Sequence, residues 1–113
     1  MRKIILVIIS ILLISGCADS AKHQDTFKDY ELMLLENDLY TINLRDGKKT
    51  QITFTPGIKK EGAFFTLDGN FVAYLQPRPW KDQYFRITRA GKSQEELSEK
   101  DFDILRNQRG WYE

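Results

Sequence analysis

Asp38-Leu39-Tyr40-Thr41-Ile42-Asn43-Leu44-Arg45-Asp46-Gly47, followed by Lys49-Thr50-Gln51-Ile52-Thr53-Phe54, is the stretch that decides the fold class. Both runs alternate. Tyr40, Ile42 and Leu44 point one way, Thr41 and Asn43 the other, the two-residue period of a strand. Asp46-Gly47 between them is a strong hairpin signal, because a tight turn needs the positive φ that glycine adopts without strain. The device recurs in Ala63-Phe64-Phe65-Thr66, Leu67-Asp68-Gly69-Asn70 and Phe71-Val72-Ala73-Tyr74-Leu75. A weaker third copy runs through Tyr84-Phe85-Arg86-Ile87-Thr88 into Ala90-Gly91-Lys92.

Gly47, Gly69 and Gly91 stand 22 residues apart each time. Two hairpins of that length give a repeat of about 44 residues, within the range of a four-stranded propeller blade. Laid over itself at that offset, Leu39 to Lys48 falls on Gln83 to Lys92, with a one-residue slip in strand phase. The tail differs. Ser93-Gln94-Glu95-Glu96 and Ser98-Glu99-Lys100-Asp101 are both serine-led with an acid three residues on, the pattern of a capped helix start. Phe102, Leu105 and Arg109 share one helical face, with Ile104 at its edge and Gly110 as a C-cap. A short helix over about 98–109 is predicted, covering one face or edge of the sheet and so protecting strand edges that invite aggregation.

From Asp38 through Gln51-Ile52-Thr53-Phe54 to Ala63-Phe64-Phe65-Thr66-Leu67-Asp68-Gly69-Asn70-Phe71-Val72-Ala73-Tyr74, the chain resembles the WD40-like repeat of TolB-type β-propellers. The resemblance covers roughly 37–75 and continues more faintly to about 97. Phe65 stands where that repeat usually has Trp, and Leu67 where it has Pro. It implies a mainly β fold: a small antiparallel meander of hairpins resembling one to two propeller blades, with the short C-terminal helix added. It also implies an envelope binding or scaffold role, since such proteins are mostly periplasmic or secreted. A closed propeller needs at least four blades of about 40 residues. The alternatives are therefore an independent meander, a blade pair completed by homo-oligomerisation, or a truncated piece of a larger propeller protein.

At the other end, Arg2 and Lys3 precede an apolar run, Ile4 to Ile14, broken only by Ser10, and Ser15-Gly16-Cys17 follow. This is the three-part layout of a secretory signal. At about 1.5 Å per helical residue the run reaches only about half of a ~30 Å hydrocarbon core. Ile14-Ser15-Gly16-Cys17 is similar to the lipobox of bacterial lipoproteins. That resemblance implies cleavage before Cys17 and lipidation of its thiol with diacylglycerol, usually with a third, palmitate-like chain on the new N-terminus. One acyl chain anchors marginally, at roughly 0.8 kcal/mol per buried methylene, whereas two or three hold stably. Ala18 in place of Asp implies the periplasmic face of the outer membrane in a Gram-negative cell. In a Gram-positive host the same motif implies the outer face of the plasma membrane. The domains expected are a signal peptide over 1–16, a lipidated N-terminus and flexible tether over 17–27, and a small β domain over 28–113.

Removing residues 1–16 of the 113 leaves 97, with 15 basic and 16 acidic side chains. That balance gives no support for nucleic-acid binding or a polybasic membrane patch. Cys17 is the only cysteine, so no intramolecular disulfide braces the domain, and a packed core must. The seven Phe and five Tyr are its natural material.

No catalytic residue, metal ligand or cofactor motif stands out, and an enzyme is not expected. The single histidine, His23, falls in the expected tether. There is no Gly-rich phosphate loop and no Cys/His cluster. Asp46 and Asp68 read as turn formers, and the acids Glu95, Glu96, Asp101 and Asp103 as solvated groups favouring a helix start. Gln76-Pro77-Arg78-Pro79-Trp80-Lys81-Asp82-Gln83 is the candidate partner-binding surface. Two prolines stiffen it and present Arg78 and Trp80, residue types favoured as interface anchors; the other reading of Trp80 is a core aromatic folded back on the sheet. Trp111-Tyr112 reads either as packing under the helix or as a boundary of a longer protein. The expected function is a lipid-anchored, non-enzymatic binding or scaffold module with an envelope protein or glycan partner. The alternative is an inhibitor or immunity-type lipoprotein that blocks a hydrolase.

Overall fold

The computed structural model describes residues 21–110. The signal segment, Cys17 and Trp111-Tyr112 lie outside them. Eight strands and one helix follow in order: β1 (Lys22–Phe27), β2 (Tyr30–Leu35), β3 (Asp38–Asn43), β4 (Lys49–Gln51), β5 (Glu61–Phe65), β6 (Phe71–Gln76), β7 (Gln83–Thr88), β8 (Glu95–Leu97) and α1 (Glu99–Gln108). They form two four-stranded antiparallel meanders, β1-β2-β3-β4 and β5-β6-β7-β8, each in chain order. The fold is mainly β with one short C-terminal helix, as the alternation and the serine cap implied.

The 44-residue offset is the step from one sheet to the next. It lays β3, its turn and β4 over β7, its turn and β8. Gly47, Gly69 and Gly91 each hold a turn with φ of 76°, 77° and 87°. Asp46 and Asp68 accept the backbone N–H of Lys48 and Asn70 at 2.9 Å, so both are turn formers. The Asn70 N–H and then the Thr66 hydroxyl hold the Asp68 carboxyl below its ordinary pKa. Gly91 also sits where backbones touch. A Cβ there would lie 3.1 Å from Ile52 Cα and 3.3 Å from the Gln51 carbonyl, whereas one on Gly47 would meet nothing within 4 Å. Gly91→Ala is therefore expected to cost about 2–4 kcal/mol, left-handed strain plus overpacking, against about 1–2 kcal/mol for Gly47→Ala. Thermal melts of the two variants check the difference.

The β domain begins earlier than expected. Residues 22–27, assigned to the tether from their small polar character, form β1 and pair with β2. Two things hid this strand. Its turn uses Lys28 at φ 57° rather than glycine, and the next, between β2 and β3, uses Glu36 and Asn37 at φ 52° and 68°. Also, a bulge at Gln24 shifts the register so that Asp25 lies opposite Leu32 and faces the interior. His23, expected in the tether, instead stands on the exposed face of β1, 2.9 Å from the Glu31 carboxylate.

The main core lies between the sheets. Leu32, Leu39 and Ile52 of the first meet Ala63, Phe65, Val72, Tyr74 and Ile87 of the second. In β3 the inward residues are Leu39 and Thr41; Tyr40 and Ile42 lie half-buried on the opposite face, and Leu44 is exposed. The second sheet is buried on both faces. Phe64 and Ala73 point away from the first sheet and pack under Phe102 of α1, with Leu75, Tyr84, Leu97 and Leu105 around them. The Phe64 and Phe102 rings meet edge-on at 5.4 Å. Burying aromatic side chains of this size contributes roughly 1.5–3 kcal/mol each, which is enough to dock a ten-residue helix that is marginal alone. Ser98 caps α1 by accepting the Asp101 N–H, and Gly110 follows Arg109 at φ 79°. The first serine-led quartet starts no helix; Glu95–Leu97 is the edge strand β8.

Among the described residues two ion pairs are buried. Arg109 donates twice to Asp25, at 2.7 and 3.0 Å, and once to the Phe65 carbonyl at 2.6 Å, while the Phe65 N–H donates to Asp25. This joins the first strand to the end of the helix, 84 residues apart. Lys60, with no exposed side-chain surface, donates to Asp38, to the Thr55 carbonyl and hydroxyl and to the Ile58 carbonyl, all within 3.0 Å. It pins the crossover between sheets.

Candidate functional site

The linker between β6 and β7 carries the candidate surface. Its ends are fixed because Gln76 and Gln83 pair across the two strands and Gln76 is buried. Between them, Pro77 and Pro79 lack backbone donors and restrict φ, so the loop holds its form with few hydrogen bonds. Trp80 stands at its tip, 81% exposed, the most exposed large apolar side chain among the described residues. It does not fold back onto the sheet. Arg78 is half-buried beside it and forms no ion pair or hydrogen bond with any described residue. The sequence therefore placed both side chains in one loop, and the fold leaves both available.

Beside the loop lies an open cavity of about 460 Å³ lined by Lys81, Asp82, Tyr84, Glu96, Leu97 and Glu99. Sequence reasoning did not reach it, because β8 and the start of α1 come beside the loop only through the pairing of Tyr84 with Leu97. Burial pushes the Tyr84 hydroxyl above its ordinary pKa, and the nearby Glu99 and Asp82 carboxylates add to this. Glu95 is tied to Arg86 at 2.8 Å, and Asp103 to Arg106 at 2.6 Å. Among the described residues no group of three or more His, Cys, Asp or Glu side chains is placed to hold a metal ion, and no helix is long and apolar enough to cross a membrane.

Two stacked four-stranded meanders, each with its strands in chain order, are the architecture of consecutive β-propeller blades. The solved structures to which this chain is similar agree. It resembles the tricorn protease with a TM-score of 0.62 and 16% identity, over 71% of this chain and 8% of that one. It resembles a putative TolB from Agrobacterium tumefaciens with a TM-score of 0.58 and 16% identity, over 71% of this chain and 31% of that one. The chain thus spans less than a third of either protein. No family model and no curated protein matches the sequence. The likeness establishes a propeller-like fold.

Proposed function

We propose that this chain is a lipid-anchored, non-enzymatic module of the bacterial envelope, tethered through Cys17, that captures an envelope protein or glycan with the loop from Gln76 to Gln83. The observation that carries the reading is Trp80, 81% exposed directly after Pro79, in a loop that holds Arg78 between its two prolines. An exposed indole on a stiff loop loses little conformational freedom on binding, so more of its burial appears as affinity. The lipobox-like Ile14-Ser15-Gly16-Cys17 supplies the setting, and the fold likeness to a TolB protein agrees with a scaffold.

Trp80→Ala is expected to weaken partner capture from envelope extracts by roughly 30-fold, the size of an interface anchor, while changing folding stability by no more than about 0.5 kcal/mol. A large stability loss with capture intact would refute the site. Labelled palmitate should be incorporated by the wild type and not by Cys17→Ser, which should leave the membrane fraction. A rigid loop led by Trp also suits an inhibitor that plugs a hydrolase. Enrichment of one hydrolase with loss of its activity selects that reading.

A further inference from the structure

A second cavity, of about 460 Å³, opens between the two sheets at the end opposite the proline loop, and its lining is polar. Its size falls within the range of about 300–1,000 Å³ typical of small-ligand sites. The Thr41 hydroxyl donates to the Arg89 carbonyl at 3.1 Å and so ties the sheets together at this point. Arg89 is the centre of the site. Its guanidinium lies 4.0 Å from the centre of the Tyr30 ring and donates one N–H to the Gly69 carbonyl at 2.6 Å. No other described residue accepts from it. The side chain is therefore oriented in advance while part of its fork stays unused.

The other groups lining the cavity continue the pattern. The side chains of Lys48 and Thr50 make no hydrogen bond with described residues, and the Asn43 carboxamide uses only its oxygen, accepting from Arg45. Open donors thus outnumber open acceptors, of which the second Asp46 carboxylate oxygen is the clearest. An excess of donors around a fixed guanidinium suits an oxyanion, which an Arg fork grips through two parallel hydrogen bonds. The neutral amide and hydroxyl, with Asp46 at the rim, suit hydroxyl groups carried by the same molecule.

We propose that this cleft binds a small hydroxylated oxyanion, a sugar acid or a sugar phosphate, with Arg89 and the neighbouring Lys48 holding the anionic group and Asn43, Thr50 and Asp46 the hydroxyls. The site is independent of the Trp80 loop.

The test is titration of the full ¹⁵N-labelled chain in detergent micelles with glucuronate, glucose 6-phosphate, glucose and inorganic phosphate, following the amides of Asn43, Thr50 and Asn70. One or both anionic sugars should shift these amides saturably, at least about tenfold tighter than glucose or phosphate, and the responding sugar identifies the anionic group. Arg89→Gln should abolish the response. Because Arg89 also packs on Tyr30, the exposed Lys48→Ala is the second variant, expected to weaken binding about threefold to tenfold with the fold intact. Trp80→Ala should leave the titration unchanged, so this site and the loop stand or fall separately. Silence with both anionic sugars, equal binding of inorganic phosphate, or a Lys48→Ala variant that binds as wild type would overturn the proposal.

Discussion

Arg109→Ala should cost about 3–5 kcal/mol of folding stability, a large share of the roughly 5–15 kcal/mol a domain possesses. Arg109 and Asp25 retain only 9% and 5% of their side-chain exposure, so the loss of one strands the other in the interior. The Phe65 carbonyl loses its donor in the same step. The guanidinium also stacks 4.3 Å from the centre of the Phe27 ring, adding an apolar loss to the polar one. Lysine at this position keeps the charge but cannot make the fork, so Arg109→Lys should fall between alanine and wild type. Arg45→Ala is the control. Its pairing with Asp29 spans 3.7 Å between side chains 78% and 59% exposed, a surface contact of about 0–1 kcal/mol. Urea titration gives the energies, and faster amide exchange at Phe65 would place the damage where the two ends meet. A cost for Arg109→Ala no greater than that for Arg45→Ala would show that the helix end does not clamp the first strand.

Lys60→Met should be comparably severe, about 3–5 kcal/mol, for a different reason. The stem is preserved, so packing changes little, but Asp38 keeps only neutral donors, the Thr53 hydroxyl and the Thr55 N–H. The Ile58 carbonyl loses its Lys60 donor as well, while the Thr55 carbonyl keeps the Ile58 N–H. Pairing the change with Asp38→Asn removes the stranded charge, so the double variant should be more stable than the sum of the two single losses implies. Its neighbour provides the comparison. Lys59 reaches Glu61 at 3.0 Å, but the side chains are 66% and 45% exposed, and Lys59→Met should cost about 0–1 kcal/mol. Two adjacent lysines with similar ion-pair distances thus differ several-fold in their effect, because Lys60 is buried and also donates to Thr55 and Ile58. Chemical denaturation of the four variants tests this ordering; equal losses at Lys59 and Lys60 would refute it.

The legible part of the fold was the part with local causes. β3, β5, β6 and β7 announce themselves by alternation and by Asp-Gly or Ala-Gly turns, because a turn's φ is decided by the few residues within it. α1 was readable from Ser98 and from the spacing of Phe102, Leu105 and Arg109, since capping and helical periodicity span only a few residues. β1 and β2 were not. Their turns hold Lys28, Glu36 and Asn37 in a conformation costly for side chains other than glycine, a cost met by the ladder on either side and by packing elsewhere. The candidate loop was legible through its prolines and tryptophan. The cleft around Arg89 was not, because Asn43, Thr50 and Arg89 come together only when the two sheets stack.

By itself the sequence determined the strand class, the terminal helix and the proline-stiffened loop carrying Arg78 and Trp80, which depend on neighbours within a few residues, and the blade-length repeat; that Trp80 is exposed was decided by the tertiary structure. Only the tertiary structure decided that residues 22–27 form a strand. Asp25 in isolation favours water; it enters the core because a bulge turns it inward and Arg109 arrives from the far end of the chain to neutralise it. No local pattern encodes a contact that pays its desolvation only after both ends of the domain have folded.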